Sequence, residues 1–364
     1  AVRYERGADG WTEFAAPLPP AGSRLFYVRK EGAGARAPEV QPSGGARRIE
    51  VADLRATPSG PNVLVLDYCD VEVRGERFEN VNTWRANWLV WEGHGFQRPA
   101  WDDGVQFRRR IIDRRDFGAD SGFAASFRFQ ISDREALGGL ELAIESPELY
   151  RVSVNGQAVD FTSGEGWLDP HIRRAGIASK ARAGENVVRL EARPFNVRME
   201  VENIYLLGDF SAVAADRGFR LAAPVPAVLG SWRTQGRPFF SDSMLYEGRV
   251  EAPPGMRQLR VDLPNWSGSI VEVLLDGKRA GLIAWQPHWV EFRTSPGRHQ
   301  VGVRVVATPR NLFGPFHNPE KPRMRAWPAA WMPFPEHQPP GASYDLLDYG
   351  LFEPFRVTGR GGTP

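Results

Sequence analysis

Apolar and polar residues alternate with a period of two over much of the chain. From Phe123 to Ile131 the odd positions hold Phe, Ala, Phe, Phe and Ile while the even ones are mostly polar, the pattern of a half-buried strand whose successive side chains face opposite ways. The pattern recurs at Leu140, Leu142 and Ile144, at Tyr150, Val152 and Val154, and at Val188, Leu190 and Ala192. Strands this closely spaced and joined by turns predict an antiparallel sandwich. Asn155-Gly156, directly after Val154, predicts a type I′ hairpin because both residues tolerate positive φ.

A second block repeats the order. Met244, Tyr246 and Val250 roughly alternate, Leu259 to Leu263 follows, and Val271, Val273 and Leu275 run into the turn Asp276-Gly277 before Val301, Val303 and Val305 close the series. The repetition predicts two copies of one sandwich topology. Residues 216–226, with Ala-Ala-Pro-Val-Pro and no clear period, read as a linker. Further strands are expected at Arg24 to Val28, at Val63 to Val71, and within Tyr344 to Val357, and a short helix over Trp84 to Trp91. The expected fold class is all-β: two tandem antiparallel jelly-roll β-sandwiches, 101–215 and 227–364, the second with a Pro- and aromatic-rich closing tail. A β-rich segment, 1–100, precedes them as the end of another β-domain.

The length of 364 residues suits two domains, and 42% hydrophobic with 25% charged residues is the balance of a globular protein. A net charge of +2 with scattered basic residues gives no reason to expect nucleic acid or an anionic membrane as partner. No apolar run approaches the roughly 20 residues that cross a bilayer as a helix. The start Ala1-Val2-Arg3-Tyr4 shows no initiator Met or signal-peptide pattern, as expected of a mature or excised piece. The lone Cys69 sits in an apolar run and reads as a buried structural thiol.

Several phrases carry a family resemblance: Asn62-Val-Leu-Val-Leu-Asp67-Tyr-Cys-Asp, Trp101-Asp102 before Val105-Gln106-Phe107, Val152-Ser-Val-Asn155-Gly156, Glu202-Asn203-Ile204-Tyr205-Leu206-Leu207-Gly208-Asp209-Phe210, and Asn311-Leu312-Phe313-Gly314-Pro315-Phe316-His317. In this order they resemble the region after the catalytic barrel in bacterial α-L-rhamnosidase-like glycoside hydrolases. The resemblance implies galactose-binding-like sandwiches of sugar-binding type beside a (β/α)₈ barrel, and export to the periplasm or medium. No run of alternating strands and helices supplies that barrel here, so the catalytic pair is expected elsewhere in the parent chain or on a partner chain. The expected function is a non-catalytic sugar-binding or scaffolding region of an enzyme acting on plant or microbial polysaccharide. The alternatives are part of a complete glycosidase whose barrel is not in this chain, and a stand-alone lectin-like or structural interaction module.

Sugars bind by stacking on aromatic rings while amides, carboxylates and imidazoles hydrogen-bond their hydroxyls. Trp84, Asn87, Trp88, Trp91, Glu92, His94 and Trp101 have this composition, as do Trp285 and His288 beyond the Asp276-Gly277 turn. The alternative role for each is packing, and His171 after Trp167 reads the same way. Glycoside hydrolysis needs two carboxyls roughly 5 to 9.5 Å apart. The nearest-looking pairs are Asp102 with Asp103 and Glu200 with Glu202, for which solvent-face or interface roles are the default, and no catalytic residue is assigned. A structural Ca²⁺ is a possible cofactor, with Asp169, Glu202 and Asp209 as available oxygens. Zinc, nucleotide and nucleophile-elbow motifs are missing from the sequence.

Overall fold

The computed structural model describes residues 5–6, 8–16, 26, 46–97, 99, 117–162, 164–318 and 332–361. Strands dominate, almost all of them antiparallel, and the chain divides into two compact all-β units.

The larger unit comprises Pro58–Asp242 and Thr308–Tyr349. Its eight-stranded sheet is built around Phe123–Ile131, which pairs with Gly184–Ala192 on one side and with Tyr68–Val73 on the other. The facing five-stranded sheet runs Gly166–Trp167, Asp169–Gly176, Glu141–Glu145, Ile204–Gly208 and Asn62–Leu66. Buried side chains from both sheets form one core, with Phe127 and Phe129 from the first and Leu64, Leu142 and Leu206 from the second. The expected hairpin closes at Asn155-Gly156, with φ of 51° and 79°, between Arg151–Val154 and Gln157–Ala158.

The apolar run at Val63 to Val71 is two strands, not one. Asn62–Leu66 pairs with Ile204–Gly208 in the five-stranded sheet, whereas Tyr68–Val73 pairs with Phe123–Ile131 in the eight-stranded one. The chain therefore changes sheets at Asp67, a carboxylate 1% exposed between two hydrophobic strands. Directly beyond the hairpin Tyr68–Val73 and Glu76–Asn82 comes the helix Thr83–Gly93, covering the short helix expected. Asn82 caps it by accepting from the Trp84 N–H, and donates its own amide to the Asp67 carbonyl.

The smaller unit comprises Ala1–Thr57, Ser243–Ala307 and Gly350–Pro364. It pairs a five-stranded sheet, in which Gly297–Val306 lies between Ser243–Ala252 and Ile270–Leu275, with a four-stranded sheet of Trp289–Arg293, Met256–Asp262, Arg356–Gly361 and Arg47–Ile49. Tyr246, Val273 and Val303 from one sheet and Leu259, Val261 and Val357 from the other are fully buried.

The units interleave along the chain instead of following one another in tandem. Within the expected preceding segment, Asn62–Leu66 and Tyr68–Val73 supply strands to both sheets of the larger sandwich, so they do not belong to a preceding domain. The expected linker 216–226 contains the strand Phe219–Ala222, which pairs parallel to Phe123–Ile131 through Arg220↔Gln130 and Leu221↔Ile131. The tail beyond Ala307 divides between the two units. Each difference has one cause: partners distant in sequence complete a sheet that local periodicity cannot reveal. The strand expected at Arg24 to Val28 lies outside the described residues, save Phe26. No described helix is long and apolar enough to cross a membrane.

Candidate functional site

A cleft of about 270 Å³ opens in the larger unit where the helix Thr83–Gly93 meets residues 200–205 and 313–317. Trp84, Asn87 and Trp88 all line it, because positions i, i+3 and i+4 share one helix face. The Trp88 Nε1 is buried and makes no hydrogen bond among the described residues, so the cleft meets ring carbon and not the indole N–H.

The polar groups are held by partners that leave part of each side chain over. The Val201 N–H donates to Asn87 Oδ1 at 3.1 Å, and the Thr83 hydroxyl donates to Asn203 Oδ1 at 2.7 Å. Both amides thus spend their oxygens within the protein and keep NH₂ donors. His317 Nε2 donates to Asp67 Oδ2 at 2.8 Å, and Tyr344 Oη donates to Asp67 Oδ1 at 2.7 Å. The His317 and Asp67 side chains are only 6% and 2% exposed. Burial, and then the adjacent Asp67 charge, push the Tyr344 phenol well above its ordinary range, so it remains a donor.

Glu200 and Glu202 also line the cleft. They precede the strand Ile204–Gly208 instead of lying in it. Tyr150 clasps the Glu200 backbone, its hydroxyl accepting from the N–H at 3.0 Å and donating to the carbonyl at 2.9 Å. Glu202 keeps solvent-exposed surface, yet its carboxyl is crowded by protein: desolvation raises its pKa, a hydrogen bond with the Glu200 carboxyl opposes the rise, and the Glu145 charge adds to it.

The structure sorts the other residues named from sequence. Trp91 is 0% exposed, with its ring edge-on to Phe96 and Phe195 at 4.9 and 5.6 Å. It is a core side chain, where no sugar can reach. His94 is buried, stacks on Phe195 at 3.9 Å, and spends Nδ1 on the Val90 carbonyl and Nε2 on the Gly122 N–H. Glu92 is exposed and pairs with Arg85 at 3.3 Å. Trp285, 57% exposed, and His288, edge-on to Trp266, belong to the smaller unit and not to this cleft. His171 is exposed, its N–H capped by Asp169 Oδ1. Trp101, Asp102 and Asp103 lie outside the described residues.

Asp169, Glu202 and Asp209 do not form a calcium site together. The five-residue strand Ile204–Gly208 separates Glu202 from Asp209 by on the order of 15 Å at about 3.3 Å per residue. Asp169 lines a different, shallow depression with Leu168 and Arg173. No cluster of three or more metal-ligating side chains occurs among the described residues.

Asp67, Asn203, His317 and Tyr344 were not expected as site residues. The first three stand inside the phrases that carried the family resemblance, and a charged residue within the apolar run Val63 to Val71 was the one local signal for Asp67.

No family model matches the chain, and no curated protein matches it. Among solved structures it is similar to a GH2 β-galacturonidase from Eisenbergiella tayi, at 22% identity and a TM-score of 0.24 over 42% of this chain and 22% of that one. It is similar also to a rhamnosidase from Novosphingobium sp. PP1Y, at 18% identity and a TM-score of 0.26 over 68% of this chain and 23% of that one. A third is a β-D-mannosidase from Dictyoglomus thermophilum, at 9% identity and a TM-score of 0.26 over 68% and 31%. These neighbours are glycoside hydrolases, and the chain spans less than a third of the length of each.

Proposed function

We propose that this chain is an accessory, non-catalytic sugar-binding region of a larger, exported glycoside hydrolase of the α-L-rhamnosidase-like kind, and that the cleft of the larger sandwich is its binding site. The observation that carries the reading is the pairing, in one concavity, of the indole rings of Trp84 and Trp88 with the part-used amides of Asn87 and Asn203. Aromatic carbon suits the C–H face of a pyranose, and amide donors at its edge suit the hydroxyls.

Calorimetric titration of the chain with methyl α-L-rhamnopyranoside, alongside an assay on an aryl α-L-rhamnoside, tests the reading. Binding that Trp88→Ala abolishes while lowering the unfolding midpoint far less than Trp91→Ala does, with no turnover, supports it. Turnover by this chain alone, or no saturable binding, overturns it.

A further inference from the structure

Asp67 needs little from His317 for its own sake. Its Oδ1 already accepts from the Tyr344 hydroxyl, its carbonyl accepts from the Thr83 N–H and the Asn82 amide, and the carboxylate sits at the sheet-to-sheet corner of the sandwich. What the Asp67 contact does for His317 is larger. A carboxylate accepting at Nε2 fixes that nitrogen as the protonated one and sets the plane of the ring. In the neutral imidazole the other nitrogen, Nδ1, carries a lone pair. It makes no hydrogen bond among the described residues, it is not one of their fully buried polar atoms without a partner, and the side chain lines the cleft. The ring is held besides by Tyr68 and Tyr344, at centroid distances of 5.6 and 4.7 Å. A histidine only 6% exposed, locked on three sides and lacking an acceptor's partner, is built to receive a donor from outside.

We propose that His317 is a ligand-contacting residue of this cleft, its Nδ1 accepting a hydrogen bond from a hydroxyl of the bound sugar while Asp67 and Tyr344 hold it in place. The inference rests on the sugar-binding reading given above and adds to it an acceptor in the same cleft as the Asn87 and Asn203 donors. A hydroxyl is both donor and acceptor, so a polyol satisfies both kinds of group at once. An apolar or purely cationic ligand would leave one kind unpaired.

His317→Gln separates this role from a structural one. The glutamine amide N–H reaches the position of Nε2 and keeps the bond to Asp67, while the acceptor at Nδ1 is lost. With methyl α-L-rhamnopyranoside as probe, the expected result is an affinity about tenfold lower, as for one lost hydrogen bond to a group left unpaired, with an unchanged unfolding midpoint. In the wild-type chain the Nδ1 nitrogen-15 resonance should have the unprotonated position and move on saturation with the glycoside. The inference is overturned, and the cleft reading kept, if wild type binds, Trp88→Ala does not, and His317→Gln binds as wild type or the Nδ1 resonance stays still. If the wild-type chain binds no glycoside, the cleft reading falls and this inference falls with it.

Discussion

His299 donates from Nδ1 to Asp276 Oδ2 at 2.8 Å, and from Nε2 to the Ser295 carbonyl at 2.9 Å, so that one ring ties two turns of the smaller sandwich together. Two acceptors require two ring protons, which is why the bond to Asp276 raises the His299 pKa in spite of some desolvation. Against its own desolvation, Asp276 is held low by the Gln300 N–H and by His299. The raised histidine adds stability that is complete below its unfolded value of about 6.5 and is lost as pH rises through the higher folded value. The lowered carboxyl adds stability present above its unfolded value near 3.8 and lost on further acidification.

The smaller unit should accordingly lose stability as pH rises above neutrality. Thermal melts from pH 6 to 9 should show a decline in the transition of that unit that His299→Asn removes. Equal slopes in the two proteins would mean that the pair contributes nothing measurable.

Trp88 and Trp91 are three positions apart on one helix and should answer differently to truncation. Trp91→Ala empties a fully buried site against Phe96 and Phe195, and should cost about 3 to 5 kcal/mol in urea unfolding. Trp88→Ala should cost much less stability and remove glycoside binding. Comparing denaturation midpoints with titrations of the folded proteins checks both.

Replacing Asp67 or Tyr344 tests the buried network behind His317. Tyr344→Phe deletes one hydrogen bond to a buried carboxylate, and should destabilise the chain by about 1.5 to 3 kcal/mol. Asp67→Ala strands both donors and should cost about 2 to 6 kcal/mol, at about 1 to 3 for each buried group left unpaired. Chemical denaturation of the two variants should rank them in that order.

Glu202 should behave as a carboxyl that the fold would rather keep neutral. Its pKa is raised, so it contributes stability at low pH that fades as pH climbs from the unfolded value of 4.5 through the folded one. Glu202→Gln should then leave stability near pH 4 unchanged and raise the unfolding midpoint at pH 7. A lower midpoint at pH 7 would show that the ionised carboxylate is supported by its surroundings.

The smaller unit also shows how far local sequence reaches. Met244, Tyr246 and Val250, and Val301, Val303 and Val305, alternate because every second side chain enters a core, and that period alone predicts Ser243–Ala252 and Gly297–Val306. Asp276-Gly277 predicts its turn because both residues accept the positive φ, 49° and 74°, that the turn requires. Those signals depend on neighbours a few residues apart, and they are complete in the sequence.

Partner choice is different in kind. That the strand before Asp67 joins Ile204–Gly208 while the strand after it joins Phe123–Ile131 is settled by hydrogen bonds and packing between segments more than 50 residues apart, and nothing in either apolar run marks which sheet receives it. The cleft inherits this. Trp84, Asn87 and Trp88 were visible as a helical cluster in the sequence, whereas Asp67 and His317 stand 250 positions apart and meet only because the sandwich folds the chain's last third against its first. Local pattern is enough for the strands, for the turns at Asn155-Gly156 and Asp276-Gly277, and for the gathering of indoles on one helix. The tertiary structure alone decided which sheet each strand completes, that Trp91 faces the core while Trp88 faces the cleft, and that a buried carboxylate would orient a histidine beside them, because each of those depends on contacts whose partners are remote in the chain.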